Sequence, residues 1–395
     1  MLLDVSLEQA QNIILSHIPA LAGEQLPLMD SLGRVLAADY HAAHDLPLQA
    51  RSAVDGYALA VAEAPSGSSF VLKDPPSTYD EAEISGEQAM AVTTGGLMPG
   101  GTQAVVPHEK TRLQDGKLSV LEIIKPGNNI KTGGEDYTEG ELLAGGGAVI
   151  DAGVAAVLAA FGYGRVQVRL RPRVAILGLG NNIVPFQVTP ETYQVRDSNG
   201  PMLAAMIARD GGSVVSLEVA SSLASATDMM RQMLSEADMV ICTGGTYAKG
   251  ADEARQVMDS LGVELFYWGV PIQPGSHHGL GKQGSTLVMA LSGNPAACAV
   301  SYHLYVAPAL ISMQGRQLVY PMVKARCTNG FAKKSGSRRF VRGHARYADD
   351  GWQVEVLPGQ KPSMLKSLLN CNCLIDLPAG TPPVGVDEKV TIWLL

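Results

Sequence analysis

The chain has 395 residues, 46% of them hydrophobic and 17% charged, which excludes a peptide, a small disulfide scaffold and a disordered or fibrous sequence. At roughly 100–200 residues per domain, that length predicts about two to four domains. Lys and Arg number 30 against 38 Asp and Glu, and the net charge of −8 argues against a broad nucleic-acid surface while leaving local basic sites open.

In chain order, the opening MLLDVSLEQAQ has neither a charged leader nor an apolar stretch after it, so no signal peptide and a cytoplasmic location are expected. Ser6 and Gln9 form a capping-box pattern, and Leu7, Ala10, Ile13 and Ile14 follow at helical spacing, predicting an amphipathic helix. A second helix is predicted over 31–39. From Leu46 onward, Pro-, Gly- and Ser-rich turns separate short β-type runs at 70–72, 89–93 and 104–108, which predicts a β-rich inserted domain over 46–128. The run 149–162 (VIDAGVAAVLAAFG) is helical and apolar. It is expected to return and pack on the first helices, making 1–45 and 129–170 one discontinuous N-terminal domain.

Over 171–315, buried-type strands in VAILGLG, SVVSLEVA, DMVICTGG and STLVMALSGNP alternate with helical stretches, the pattern of a parallel α/β domain. The apolar stretch 296–313 contains Tyr302, His303 and Pro308 and reads as a buried helix, not a membrane span. Residues 316–395 carry short alternating runs (FVRGHARY, WQVEVL, CLIDL, KVTIWLL) that predict a compact β domain, so the fold class is α/β and β multidomain. The cysteines (Cys242, Cys298, Cys327, Cys371, Cys373) are scattered and fit reduced thiols.

The 43 glycines, against 6 Phe, 12 Tyr and 3 Trp, point to ligand sites built from loops. In α/β sheets ligands sit beyond the carboxyl ends of strands. Gly244 and Gly245 fall at one such end, with Asp252 at the start of the next helix; Gly293, Asn294 and Pro295 fall at another. Exposed amides there can hold an oxyanion and the acid a cation, although a tight turn and a helix cap explain the same residues. Gly178 and Gly180 make only a partial nucleotide fingerprint. Asp197 and Asn199 precede a predicted helix, where capping is the plainer role. Asp55 in SAVDGYAL and Asp136 in GGEDYTEG sit in glycine-containing turns, and turn chemistry accounts for either one alone. His277 and His278 are adjacent with no third ligand in view, so no metal site is expected there. Arg338, Arg339 and Arg342 form a local cluster suited to phosphate, or a solvated strand edge.

Taken together, SAVDGYAL, VTTGGLMPGGTQAVVPHE, GGEDYTEG, RDSNG, TGGTYAKGAD, PGSHHG and LSGNPAA occur in an order that resembles the molybdopterin molybdenumtransferase family, the MoeA-type enzymes and the related C-terminal domain of gephyrin. The resemblance implies insertion of molybdate into adenylylated molybdopterin with release of AMP, Mg²⁺ as cofactor, a homodimer with a shared active site, and a possible molybdopterin adenylyltransferase partner. No nucleic acid or membrane partner is expected. It implies catalytic roles for Asp55, Thr94, Asp136 and Asp252, with Asp55, Asp136 and Asp252 as metal ligands. Gly244, Gly245, Gly293, Asn294, Pro295, Asp197, Asn199, Ser363 and Arg339 are implied to bind the pterin cofactor.

The chain also departs from the family pattern. Asn181 and Asn182 replace two acids, Gln273 and Ser276 replace two lysines, Ser292 replaces a proline, and Tyr247 and Lys249 stand where small residues are usual. Asparagine hydrogen-bonds an oxyanion but takes no proton at neutral pH, and lost lysines remove phosphate-neutralising charge, for which Lys249 or His277 would compensate in part. The alternative reading is therefore a catalytically impaired paralogue that binds molybdopterin or molybdate as carrier, sensor or scaffold. A stand-alone molybdopterin adenylyltransferase is argued against by the segments outside the α/β domain.

Overall fold

Ser6 starts the first helix as its sequence requires: its Oγ accepts from Gln9 N at 3.1 Å, and Gln9 Oε1 accepts from Ser6 N at 3.0 Å. The resulting helix, Leu7–Ser16, buries Leu7, Ala10 and Ile14. The structure is a computed structural model that describes residues 1–19, 21–76, 82–246 and 252–395. The chain divides into two compact units, one comprising Met1–Ala37, Gly146–Ile150 and Arg165–Leu395 and the other Ala38–Gly145 and Asp151–Gly164. The stretches 1–45 and 129–170, expected to form one domain, are thus shared between the units.

The larger unit is built on a seven-stranded sheet. Its strands Thr286–Leu291, Met239–Gly244, Arg173–Leu179 and Ser213–Ala220 run parallel, as expected from their apolar sequences. Alternate residues serve the two faces: Val174, Ile176, Met239, Ile241, Leu287 and Met289 enter one core, and Ala175, Leu177, Val240, Cys242, Val288 and Ala290 enter the other. The sheet also carries strands that the sequence reading did not name. Glu264–Trp268 and Gly279–Gln283 add an antiparallel pair, and Leu2–Leu3 adds a parallel edge. The strand GLGKQ lacks the branched side chains that mark a strand because its glycines make room: a Cβ on Gly279 would lie 2.1 Å from Trp268 Cε3.

The helix predicted over 31–39 is absent. Leu28–Ser31 is a single 3-10 turn, Gly33 takes φ +74°, and Val35 and Leu36 bridge to Val149 and Val168. A left-handed glycine ends the helical path, and the two apolar residues after it are held in extended pairing. The run 149–162 is helical only over Ala152–Ala160, and it lies in the smaller unit, burying Leu158 alone of its nine residues. The expected partner, Leu7–Ser16, instead places Leu7, Ala10 and Ile14 in the α/β core beside Leu304 and Leu310. The apolar stretch Pro295–Met313 is a core helix, 89% buried. Its middle, Tyr302–Val306, is a π turn placed just before Pro308. Pro308 has no N–H to donate and crowds the preceding turn, so local widening is the economical way to keep the helix continuous.

Beyond that helix the predicted β domain is present as a closed barrel. Arg338–Ala348 pairs with both Gly351–Val356 and Cys373–Leu377, and Met322–Cys327 and Lys389–Leu394 complete the ring around Ala325, Val341, Val354, Ile375 and Ile392. Ile272–Gln273 joins it from the α/β domain, pairing in parallel with Arg338–Arg339. The smaller unit contains a six-stranded sheet in the order Ala104–Pro107, Gly56–Leu59, Gln88–Val92, Ser69–Lys73, Lys117–Val120, Thr111–Gln114, which includes the predicted runs at 70–72, 89–93 and 104–108.

Candidate functional site

In the larger unit, Asn199 ties two strand ends together. Its Nδ2 donates to Thr243 Oγ1 at 2.8 Å and to the carbonyl of Gly293 at 2.9 Å, and Thr243 Oγ1 donates to Ser292 O at 3.2 Å. Asn199 Oδ1 is buried without a partner. The glycines make this closeness possible: at φ +91° a Cβ on Gly244 would stand 2.3 Å from Leu179 O, and one on Gly293 would stand 2.9 Å from Gly244 Cα. Pro295 opens the helix that follows Asn294, as the sequence suggests. Asp197 has a local role, because its carboxylate accepts from the amides of Asn199 and Gly200, each at 3.0 Å, and so occupies the first turn of Asn199–Arg209. Asp252 is likewise committed. It caps Glu253–Ser260 through Arg255 N at 3.2 Å and accepts from Trp268 Nε1 at 2.9 Å, and burial is the main cause that raises its pKa.

Beside these strand ends lies a cavity of 390 Å³ whose polar wall includes Gln273, Ser276, His277, Asn294, Lys333 and Arg339. The barrel supplies the last two. Arg339 Nη2 donates to Gln273 Oε1, its Nε is buried without a partner, and its guanidinium lies 5.8 Å from the centre of the Phe331 ring. The arginine cluster read from the sequence therefore splits. Arg338 forms a bidentate pair with Asp376 at 2.9 and 2.7 Å and also bonds Glu8, while Arg342 is 1% exposed. Strand alternation sends positions 338 and 342 to one side and 339 to the other. Ser363 is exposed and outside this lining, although its neighbour Pro362 contributes and accepts from Ala296 N at 3.0 Å. Lys333 and Gln360 were not singled out in the sequence, because FAKKSGS and LPGQKPS look like ordinary polar turns. Only the barrel's closure brings them to the cavity.

The paired histidines also separate. His277 lines the cavity, whereas His278 is fully buried, bonded through Nδ1 to Tyr267 Oη at 2.9 Å and stacked 3.9 Å from Tyr305; burial pushes its pKa down to about 3. Asn181 and Asn182 are exposed in the loop after Arg173–Leu179. Tyr247 and Lys249 lie outside the described residues.

In the smaller unit, Asp55 Oδ1 accepts from Thr94 N at 2.7 Å, and that amide holds the exposed carboxyl below its ordinary pKa. Gly56, next to it, is required by close packing, since a Cβ would lie 2.0 Å from Val106 O. Asp136 lines a second cavity, of 710 Å³, with Glu135, Arg51, Lys131, His44 and Gly95. Arg51 Nη1 donates to Gly95 O at 2.8 Å, which joins this wall to the loop whose Thr94 amide serves Asp55. The acids expected to share a metal are divided, with Asp55 and Asp136 in this unit and Asp252 in the other. Among the described residues, no group of three or more His, Cys, Asp or Glu side chains is placed to hold an ion. All five cysteines are free.

Three family models match consecutive stretches: "MoeA N-terminal region (domain I and II)" over 5–162, "Probable molybdopterin binding domain" over 175–312 and "MoeA C-terminal region (domain IV)" over 324–395. Among curated proteins, the molybdopterin molybdenumtransferase of Staphylococcus epidermidis RP62A is 29% identical over 386 residues, covering 95% of this chain and 92% of the relative. That of Staphylococcus aureus MSSA476 is 28% identical over 388 residues, covering 96% and 92%. The solved structure of the molybdopterin biosynthesis MoeA protein from Pyrococcus horikoshii OT3 superposes with a TM-score of 0.84 at 26% identity, covering 99% of this chain and 100% of that one.

Proposed function

The chain belongs to the MoeA-type molybdopterin molybdenumtransferase family and acts in molybdenum cofactor biosynthesis, and we propose that it inserts molybdate into adenylylated molybdopterin with release of AMP. The observation that carries this reading is the convergence of Arg339, Lys333, His277 and Asn294 on one cavity beside the tied strand ends. Both substrates are oxyanions, and fixed cations with amide donors are what oxyanions require. Lys333 and Arg339 supply positive charge to a wall from which the family's two loop lysines are missing, and Gln273, standing at one of those lysine positions, aims Arg339. Relatives named as the transferase over nearly their whole length favour the enzyme over a non-catalytic carrier or scaffold.

Mg²⁺ is part of the proposal. Such an ion is ordinarily held by one or two carboxylates together with substrate phosphates, and here it would supply neutralisation of the phosphoanhydride charge. Asp55 fits that donor set, being exposed and kept ionised by the Thr94 amide, and Asp136 faces an open cavity. Asp252 is the weakest candidate of the three, because each of its oxygens already accepts one bond, from Arg255 N and Trp268 Nε1, and burial disfavours its ionised form. A homodimer, a molybdopterin adenylyltransferase as supplier of substrate, and a cytoplasmic location complete the reading. Free cysteines and a long apolar helix that is interior support the last of these. The test is AMP release by the purified chain given adenylylated molybdopterin, molybdate and Mg²⁺; release no greater than the blank would overturn the assignment.

A further inference from the structure

A third cavity, of 240 Å³, lies in the larger unit between the Asn199–Arg209 helix, the Pro295–Met313 helix and the barrel. None of the residues given roles above in substrate or metal binding lines it. Its wall is largely apolar, with Met202, Met206, Val300, Leu368 and Leu374. Arg342 is the polar residue of the wall that is fully buried, at 1% exposed. A buried guanidinium ordinarily pairs with a carboxylate, since an uncompensated internal charge is costly. Arg342 has no such partner among the described residues. Nε donates to Ser367 Oγ at 2.9 Å, Nη2 donates to Gly359 O at 3.2 Å, and Nη1 has no bond or ion pair among the described residues. Burial lowers its pKa only to about 10, so the group remains a cation at neutral pH. The other basic residue of the wall, Arg209, is half exposed and already neutralised by Asp210 at 2.8 Å, while His303 is held uncharged by burial.

We propose that this cavity is a binding site for a small amphiphilic carboxylate, its head on the Arg342 guanidinium and its aliphatic body against Met202, Met206 and Leu374. A planar fork matched to two carboxylate oxygens supplies the charge that is missing, and the thioether and leucine walls accept an unbranched chain. A volume of 240 Å³ is below the roughly 300–1,000 Å³ of pockets for drug-sized ligands, so the occupant has few carbons.

The test is calorimetric titration of the full chain with sodium hexanoate, with hexan-1-ol as the uncharged match and inorganic phosphate as a head without a tail. Hexanoate is expected to bind at least about tenfold more tightly than either control, the worth of one charge-assisted contact. Arg342→Gln should abolish that preference. Because Arg342 also braces the Gly359 and Ser367 segment, Ala205→Trp provides an independent block. Ala205 is an exposed lining residue of the helix, so a large side chain there closes the mouth without entering the core, and binding should vanish while the melting temperature is retained. Equal affinity for hexanoate and hexanol, hexanoate binding unchanged in Ala205→Trp, or no binding to the wild type at millimolar hexanoate would each overturn the proposal.

Discussion

Replacing Asn199 separates a brace from a ligand contact. In Asn199→Ala two hydrogen bonds are lost, to Thr243 Oγ1 and Gly293 O. At about 1 kcal/mol net each, the loss is about 2 kcal/mol. Removing Oδ1, which is buried and unpartnered, returns about 1 kcal/mol. The expected net loss is therefore about 1 kcal/mol, seen as a fall of about 2 °C in melting temperature for a unit of this size. Asn199→Asp should be worse than alanine. It places an acceptor against the Gly293 carbonyl and puts a charge at a position only 6% exposed, with an expected cost of about 3 kcal/mol or more. Calorimetric melting of the three proteins at neutral pH tests this order. An aspartate variant as stable as the alanine variant would refute the reasoning, as would an alanine variant that melts like the wild type but releases no AMP; the latter would make Asn199 a substrate contact.

Arg339→Gln should leave the melting temperature within about 1 °C but raise the apparent KM for molybdate about tenfold, the equivalent of one charge-assisted hydrogen bond; an unchanged KM would remove Arg339 from the site. Gly56→Ala should destabilise the smaller unit by about 3 kcal/mol, because a Cβ 2.0 Å from Val106 O cannot be accommodated without moving the strand, and limited proteolysis would then cut first within 38–145. His278 gives a signed pH effect. Its folded pKa, about 3, is below the unfolded value of about 6.5, so its contribution is complete above the unfolded pKa and is lost as pH falls toward the folded one. His278→Phe should flatten the dependence of urea stability on pH between about 6.5 and 3; an identical slope in the variant would contradict this.

Much of this architecture is legible in the sequence because it depends on local patterns. The Ser6–Gln9 box, the four parallel strands with apolar residues on both faces, and the interior Pro295–Met313 helix are each announced by their own residues. What escaped depends on residues distant in the chain. The strand Gly279–Gln283 can pair where it does because Gly279 leaves room for Trp268, and 31–39 is not a helix because Val149 and Val168 pair with its apolar residues. The candidate site divides in the same way. The glycines at the strand ends were visible, but Lys333 reaches the cavity only through barrel closure. Asp197 and Asp252, which the motif presents as ligands, spend their oxygens on nearby N–H groups.

The two-residue strand Ile272–Gln273 constrains how the protein can be dissected. By pairing with Arg338–Arg339 it covers, on that flank, the part of the long barrel strand that lies beyond the reach of Gly351–Val356. A fragment cut to hold the barrel alone would uncover that backbone edge, which is a template for pairing with other chains. Such a fragment is expected to self-associate, and a soluble version would need residues 272–273 appended or a charged residue introduced along that edge.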